Sequence, residues 1–303
     1  MDDDKHFFGS SETERKLACL RDYLTAYSIA LKAKNFTRIY IDAFAGTGSR
    51  TETRAVLPFF DQNEPKVEEV TTPGSATIAL DVKPPFHSIL LIEKDPQKAA
   101  VLRKLVATHS HGRAHVREGD ANEIVQRLCR KYDWQREGRR GVIFLDPFGM
   151  EVCWETVEAI AKTEALDCWY FFPLSGLYRN APKDPSRLDQ SKIDAISRVF
   201  GSDKWRTEWY QGVDDQYDLL GEPVNFERRM ATVDRIEMWV QKHLESVFKG
   251  AVLKPLRLNH PGGAPMASLF FAVANPSPAA VGPATRIANH ILKAGSSSQV
   301  RSR

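Results

Sequence analysis

No stretch of this 303-residue chain approaches the ~20 consecutive apolar residues that a membrane helix needs. The first residues, Met1-Asp2-Asp3-Asp4-Lys5, hold no basic segment leading into an apolar one, so a cytoplasmic protein without a secretory signal is expected. Cysteine is scarce. Cys19, Cys129, Cys153 and Cys168 form no C-x-x-C pair and match no zinc or iron–sulfur ligand spacing, so neither a metal nor a disulfide is expected. Cys19 and Cys168 sit in apolar runs and read as packing residues. There is no Gly-Lys-Ser/Thr, which excludes a P-loop. Nor does one sign of charge dominate. Lys and Arg number 42 against 39 Asp and Glu, a net +3, so the field of the whole molecule is weak.

What is present is a repeated strand-to-helix rhythm. Leu17, Leu20, Leu24, Tyr27 and Leu31 recur at helical spacing and predict an amphipathic helix over 12–33. Short apolar strands are then predicted at 38–42, 87–95, 115–116, 141–145 and 168–172, with helices at 75–80, 96–107, 121–132 and 154–162 between them. Apolar strands alternating with helices imply a parallel sheet covered on both faces, the doubly wound α/β fold. The charged, aperiodic stretch 49–73 reads as an inserted loop, and 174–248 as helical. Strands at 253–258 and 267–274, split by Pro261-Gly262-Gly263, read as a closing hairpin before a last helix at 283–294. The expectation is a mostly parallel seven-stranded sheet of the class I methyltransferase, Rossmann-like type. Its organisation would be an N-terminal helical extension (1–36), a Rossmann-like core (37–174), a helical insertion (175–250), a closing hairpin and helix (251–295) and a flexible tail (296–303).

In such sheets ligands bind beyond the carboxyl ends of the strands, where strand order switches. Four strand ends carry polar residues. The first is Asp42-Ala43-Phe44-Ala45-Gly46-Thr47-Gly48, where glycine lets the backbone turn tightly and come close to a ligand. A dinucleotide loop would need a third glycine, where Thr51 stands, and its leading acid would repel a pyrophosphate. The loop suits instead the methionine part of S-adenosylmethionine (SAM), with Asp42 near the ammonium and Phe44, Ala45, Gly46, Thr47 and Gly48 around it. At the second end Glu93 can accept both ribose hydroxyls; Lys94 beside it reads first as surface charge but belongs to the same candidate set. At the third, Asp120-Ala121-Asn122, Asp120 can accept from the adenine amino group, while an ordinary helix N-cap is the competing reading. At the fourth, Asp146-Pro147-Phe148, a carboxylate can hold an acceptor amine and an aromatic ring can stack on a base. A plain Asp-Pro turn is the alternative there.

Taken together, Tyr-Ile-Asp-Ala-Phe-Ala-Gly-Thr-Gly, Ile-Glu-Lys-Asp, Gly-Asp-Ala-Asn and Phe-Leu-Asp-Pro-Phe-Gly-Met resemble the three-Cys-motif partner family (TcmP) over most of residues 12–212. That resemblance implies a methyltransferase-like chain acting with a three-cysteine, radical-SAM-like partner. The loop after residue 42 also looks like that of nucleic-acid amino-methyltransferases. Those follow their fourth strand with Asn or Asp, Pro, Pro and an aromatic; here Phe148 takes the second Pro position and Gly149 follows.

The expected activity is SAM-dependent N-methylation of an RNA or DNA base; the alternatives are a small-molecule or protein methyltransferase, or a non-catalytic subunit that docks a partner. Two basic stretches bear on the choice: Arg103, Lys104, Arg113 and Arg117, and Arg127, Arg130, Lys131, Arg136, Arg139 and Arg140. Each reads equally as a nucleic-acid surface or as solvated helix and loop. The aromatic stretches Trp169–Phe172 and Trp205–Tyr210 could serve an interface, but a buried strand and a helix packing face are the simpler readings.

Overall fold

The computed structural model describes residues 11–56, 66–109, 112–213 and 226–297. Helix α1 (Ser11–Leu31) comes first and strand β1 (Thr37–Asp42) follows. Next come β2 (Ser49–Val56), β3 (Lys66–Pro73), α2 (Ser75–Asp81), β4 (Ser88–Glu93), α3 (Pro96–His109), β5 (Ala114–Glu118), α4 (Ala121–Lys131), β6 (Arg139–Leu145), α5 (Trp154–Lys162) and β7 (Leu166–Phe172). The second half holds α6 (Leu174–Asn180), α7 (Gln190–Phe200), α8 (Lys204–Trp209), β8 (Tyr210–Val213), β9 (Phe226–Arg229), α9 (Val233–Glu245), β10 (Ala251–Val252), β11 (Leu256–Asn259), β12 (Pro265–Val273) and α10 (Pro278–Ser297).

The central sheet runs β5-β4-β1-β6-β7-β12, with β10 and β11 sharing the outer edge of β12. The first five strands in that order are parallel. β12 is antiparallel to β7, pairing Phe270 with Tyr170 and Phe271 with Trp169. The chain winds outward from β1 through β4 to β5, then returns to β6 on the other side of β1. The switch point therefore lies at the carboxyl ends of β1 and β6.

Both faces are covered, and the period-two alternation along each strand decides which side chain faces which layer. Tyr40, Val142, Phe144, Trp169 and Phe271 face the layer of α1, α2, α3 and α10. Ile39, Ile41, Ile143, Leu145, Tyr170 and Phe270 face the layer of α4 to α9. Helix α1 is part of this core: Tyr23 packs its ring 5.4 Å from Trp169 and 4.8 Å from Phe271, and Leu20 and Leu24 are fully buried. Cys19 and Cys168 are buried and all four cysteines are free.

Three sequence expectations are corrected. The stretch 49–73 is not a plain loop. β2 and β3 form an antiparallel hairpin from Ser49↔Pro73 to Val56↔Lys66, and residues 57–65 lie outside the described residues. Its strands carry β-branched and charged residues with no apolar alternation, so the period-two signal is absent. The stretch 174–248 is not all helical, because β8 pairs with β9 between α8 and α9. The last helix starts at Pro278, five residues ahead of Pro283, and runs to Ser297. Proline suits the first helical position, and there are two candidates for it. Ser296 and Ser297 thus belong to α10, while 298–303 lie outside the described residues.

The Tyr23 hydroxyl donates to Asp167 Oδ2 at 2.6 Å, tying α1 to β7 in the interior. Burial pushes the Asp167 carboxyl up to about 7, opposed by that hydrogen bond. An acid whose folded pKa lies above its unfolded ~3.9 holds its proton better when folded. Stability is then lost as pH rises from about 4 to about 7 and stays lower above that. Asp167→Asn should therefore raise the melting temperature relative to wild type at pH 8 and raise it less, or lower it, at pH 5. Thermal unfolding at the two values checks this, and an identical shift at both would contradict the linkage.

Candidate functional site

The β1 loop is clamped between its two neighbouring strands. Ala43 N–H donates to Phe144 O on β6 at 3.1 Å, and Ala45 N–H donates to Ile92 O on β4 at 2.9 Å. Gly46 sits at φ +61°, a left-handed conformation that favours glycine, and nothing lies within 4 Å of where its Cβ would stand. Its N–H donates to Glu93 Oε2 at 2.9 Å, while Asp95 N–H donates to Glu93 Oε1 at 2.8 Å. One carboxylate thus joins the loops after β1 and β4.

Gly48 does different work. Its φ is +80°, a Cβ there would stand 2.6 Å from Leu105 Cδ2, and its carbonyl accepts from Gly74 N–H at 2.9 Å and from the Thr77 hydroxyl at 2.6 Å. A Cβ on Gly74 would lie 2.8 Å from Gly48 O. Gly48 and Gly74 therefore form the stem of the hairpin, which enters between the β1 loop and the helix that would otherwise follow it. Sequence reasoning missed Gly74; a glycine directly before a helical run was the available signal.

Several strand ends open on one cleft of ≈ 2130 Å³. Phe44, Gly46, Glu93, Lys94, Asp120, Ala121, Asn122, Asp146, Pro147 and Phe148 all line it. Asp42, Ala45, Thr47 and Gly48 do not. Asp42, expected near a ligand ammonium, is fully buried and accepts from the Phe44 N–H and the Tyr40 hydroxyl, both at 3.3 Å, and from the Ser75 hydroxyl. Burial first, and nearby Asp146 next, push its carboxyl up to about 7. Asp42 braces the loop from behind. Ala45 is buried by its bond to β4, and the Thr47 hydroxyl donates to Ser49 O at 2.7 Å, away from the cleft.

Asp120 is the N-cap of α4 and also lines the cleft. Oδ1 caps α4, accepting from Asn122 N–H at 2.9 Å and Glu123 N–H at 3.3 Å, while Oδ2 faces the cleft 3.7 Å from the Lys94 ammonium. Asn122 is committed elsewhere. Its Oδ1 accepts from Cys153 N–H at 2.9 Å and the Thr156 hydroxyl at 2.8 Å, and its Nδ2 donates to Glu151 O at 2.9 Å. It fastens the start of α4 to the loop after β6.

That loop carries the second half of the site. Phe148 has 102% of its surface exposed, an unusual position for a large apolar ring at a strand end. Asp146 Oδ2 accepts from Lys16 Nζ at 2.6 Å, and Oδ1 has no partner among the described residues. Lys16 comes from α1, is 7% exposed, and lies 4.2 Å above the Phe171 ring centroid. It escaped the sequence reading because it stands 130 residues from Asp146, on a helix face judged by its leucines. Among the described residues no group of three or more His, Cys, Asp or Glu could hold a metal ion, and no helix is long and apolar enough to cross a membrane. Trp205, Trp209 and Tyr210 are buried packing residues.

The strand order, with an antiparallel last strand beside the fifth parallel one, defines a class I methyltransferase-type α/β sheet. No protein-family model matches the chain, and no curated protein does, so the resemblance to three-Cys-motif partners gains no support there. Among solved structures, protein LPL1258 from Legionella pneumophila (family model DUF519) matches 95% of this chain and 94% of its own, with a TM-score of 0.52 and 13% identity. This likeness shows the fold. Trm1 from Pyrococcus horikoshii, solved with S-adenosyl-L-methionine, matches 92% of this chain and 75% of its own (TM-score 0.37, 10% identity). The N-terminal domain of EvdMO1 with SAH bound matches 83% and 79% (TM-score 0.38, 13% identity). Both of these likenesses are too loose to carry a functional argument.

The Lys16–Asp146 pair is shielded on both sides, so removing either partner strands the other. A double-mutant cycle with Lys16→Met and Asp146→Asn, followed by urea unfolding, should give a coupling of about 1 kcal/mol or more. Additive losses would mean that the pair does not hold α1 to the site.

Proposed function

We propose that this chain is a SAM-dependent methyltransferase whose acceptor is the amino group of a nucleic-acid base. The observation that carries the reading is the convergence of three carboxylates from separate parallel strand ends, Glu93, Asp120 and Asp146, on one cleft beside an open glycine turn. The residues present fit the cofactor. Gly46 leaves open space for a close approach, Ala43, Phe44, Ile92 and Ala121 supply apolar walls, and the cleft exceeds the roughly 300–1,000 Å³ of an ordinary small-molecule pocket. Room therefore remains for an acceptor beside it.

Glu93 would accept the ribose hydroxyls with the lone pairs left after it has braced Gly46 and Asp95. Asp120 Oδ2 would accept from the adenine amino group. Bound SAM supplies a methyl group activated by its sulfonium. Asp146 Oδ1 would accept a hydrogen bond from the acceptor amine and point its lone pair at that methyl, while Lys16 keeps Oδ2 and fixes the carboxylate's orientation. Phe148 would stack on the base. Rate acceleration would come mainly from this positioning.

Calorimetry with SAM and S-adenosylhomocysteine should show saturable binding that Glu93→Ala loses. At ligand about 100-fold above its dissociation constant, folded protein should gain roughly 2.7 kcal/mol of stability. Asp146→Ala should abolish methyl transfer while leaving cofactor affinity within a few-fold. No binding by well-folded protein would defeat the proposal, and equal loss of binding and turnover in Asp146→Ala would defeat the division of roles.

A further inference from the structure

The cleft does not end at the strand ends. Its lining continues from Ala121, the first residue of α4, to Lys131, the last. An 11-residue helix is about 16 Å long, so the opening extends well past the space that a cofactor and one acceptor group need. Arg127, Arg130 and Lys131 stand at i, i+3 and i+4 on this helix and so share one face. All three are exposed. The Arg127 and Arg130 side chains make no hydrogen bond or ion pair with any described residue, and Lys131 touches only the Tyr132 ring, 5.2 Å from its centroid.

Charge is concentrated along this opening. Eight Lys and Arg side chains line it against five Asp and Glu, an excess equal to the net +3 of the whole chain. The remaining basic residues of the same sequence run are already occupied, Arg140 by the Trp134 and Arg139 carbonyls to which its guanidinium donates. Arg136 pairs with Asp133 at 3.5 Å, and Arg139 pairs with Glu137 at 2.8 Å while stacking on Tyr132. Tertiary structure thus splits one basic stretch into three cations without an acidic partner on the groove and a second group held by acids or by backbone carbonyls.

We infer that the α4 face formed by Arg127, Arg130 and Lys131 grips the phosphate backbone of a single-stranded nucleic acid that runs along the groove and delivers an unstacked base to Phe148. This rests on the base-methylation reading above and adds the surface and the form of the substrate. A row of free cations leading to a fully exposed aromatic ring is the combination that binds single strands, cations following the backbone and the ring stacking on a base. A small neutral acceptor would have no use for the cationic extension.

The test is fluorescence anisotropy of full-length protein with a labelled single-stranded RNA, the same sequence as DNA, and the duplex, over a range of salt. Wild type should bind single strands more tightly than duplex, with affinity falling steeply as salt rises. Arg127→Gln/Arg130→Gln/Lys131→Gln should weaken binding by about tenfold or more and reduce the single-strand salt slope by about 2, at ~0.7 for each phosphate no longer neutralised. Phe148→Ala should weaken binding by about fivefold or more with the slope unchanged. Arg136→Gln/Arg139→Gln should bind like wild type. Unchanged affinity in the triple variant, salt-insensitive binding, or tighter binding of duplex would overturn the inference. Calorimetry with S-adenosylhomocysteine on the same triple variant should match wild type, which separates failure of the groove from failure of the cofactor site.

Discussion

Much of this molecule depends on how the turn after β1 is held. Gly46 needs a left-handed conformation, and a lone turn of that kind would be one of many available to the chain. Here Ala43 is bonded to β6, Ala45 to β4, and the Gly46 N–H to Glu93, which also takes the Asp95 N–H. Asp42, buried behind the turn, accepts from Phe44 and Tyr40. The switch point of the sheet is therefore a rigid shelf. Glu93 both braces that shelf and lines the cleft, so one carboxylate serves the loop and the opening.

The first helix has a comparable double role. Its apolar stripe covers the β7–β12 side of the sheet, and its Tyr23 reaches the buried Asp167. About two turns earlier, Lys16 emerges beside Asp146. A charged pair this close to the interior is costly to desolvate, so its presence is weak evidence of added stability. That arrangement makes sense if Asp146 must present one oxygen in a fixed direction.

The hairpin and the α4 groove show how additions are attached without disturbing this frame. The hairpin leaves at Gly48 and returns at Gly74, where the two backbones approach too closely for any side chain on Gly74. The chain can thus accept a 25-residue excursion from Ser49 to Pro73 and still start α2 where the sheet needs it. The groove uses no added segment. It is the outward face of a crossover helix whose inward face, with Ile124, Val125 and Cys129, is already committed to the core.

The order of strands and helices, the parallel sheet and the four polar strand ends were legible in the residues themselves, because apolar period and glycine chemistry are local properties of the chain. For the same reason 141–145 could be recognised as a buried strand, and Asp120 as both cap and cleft residue. The hairpin was not legible, since strands polar on both faces carry no alternation. Sequence alone could not separate Glu93, which faces the cleft, from Asp42, which is enclosed, because both are acids ending apolar strands. Nor could it bring Lys16 to Asp146, or tell which cations of one basic run line the cleft and which are held by acids or carbonyls. Those distinctions depend on which groups meet across distant segments, and burial and partnership exist only once the layers have closed.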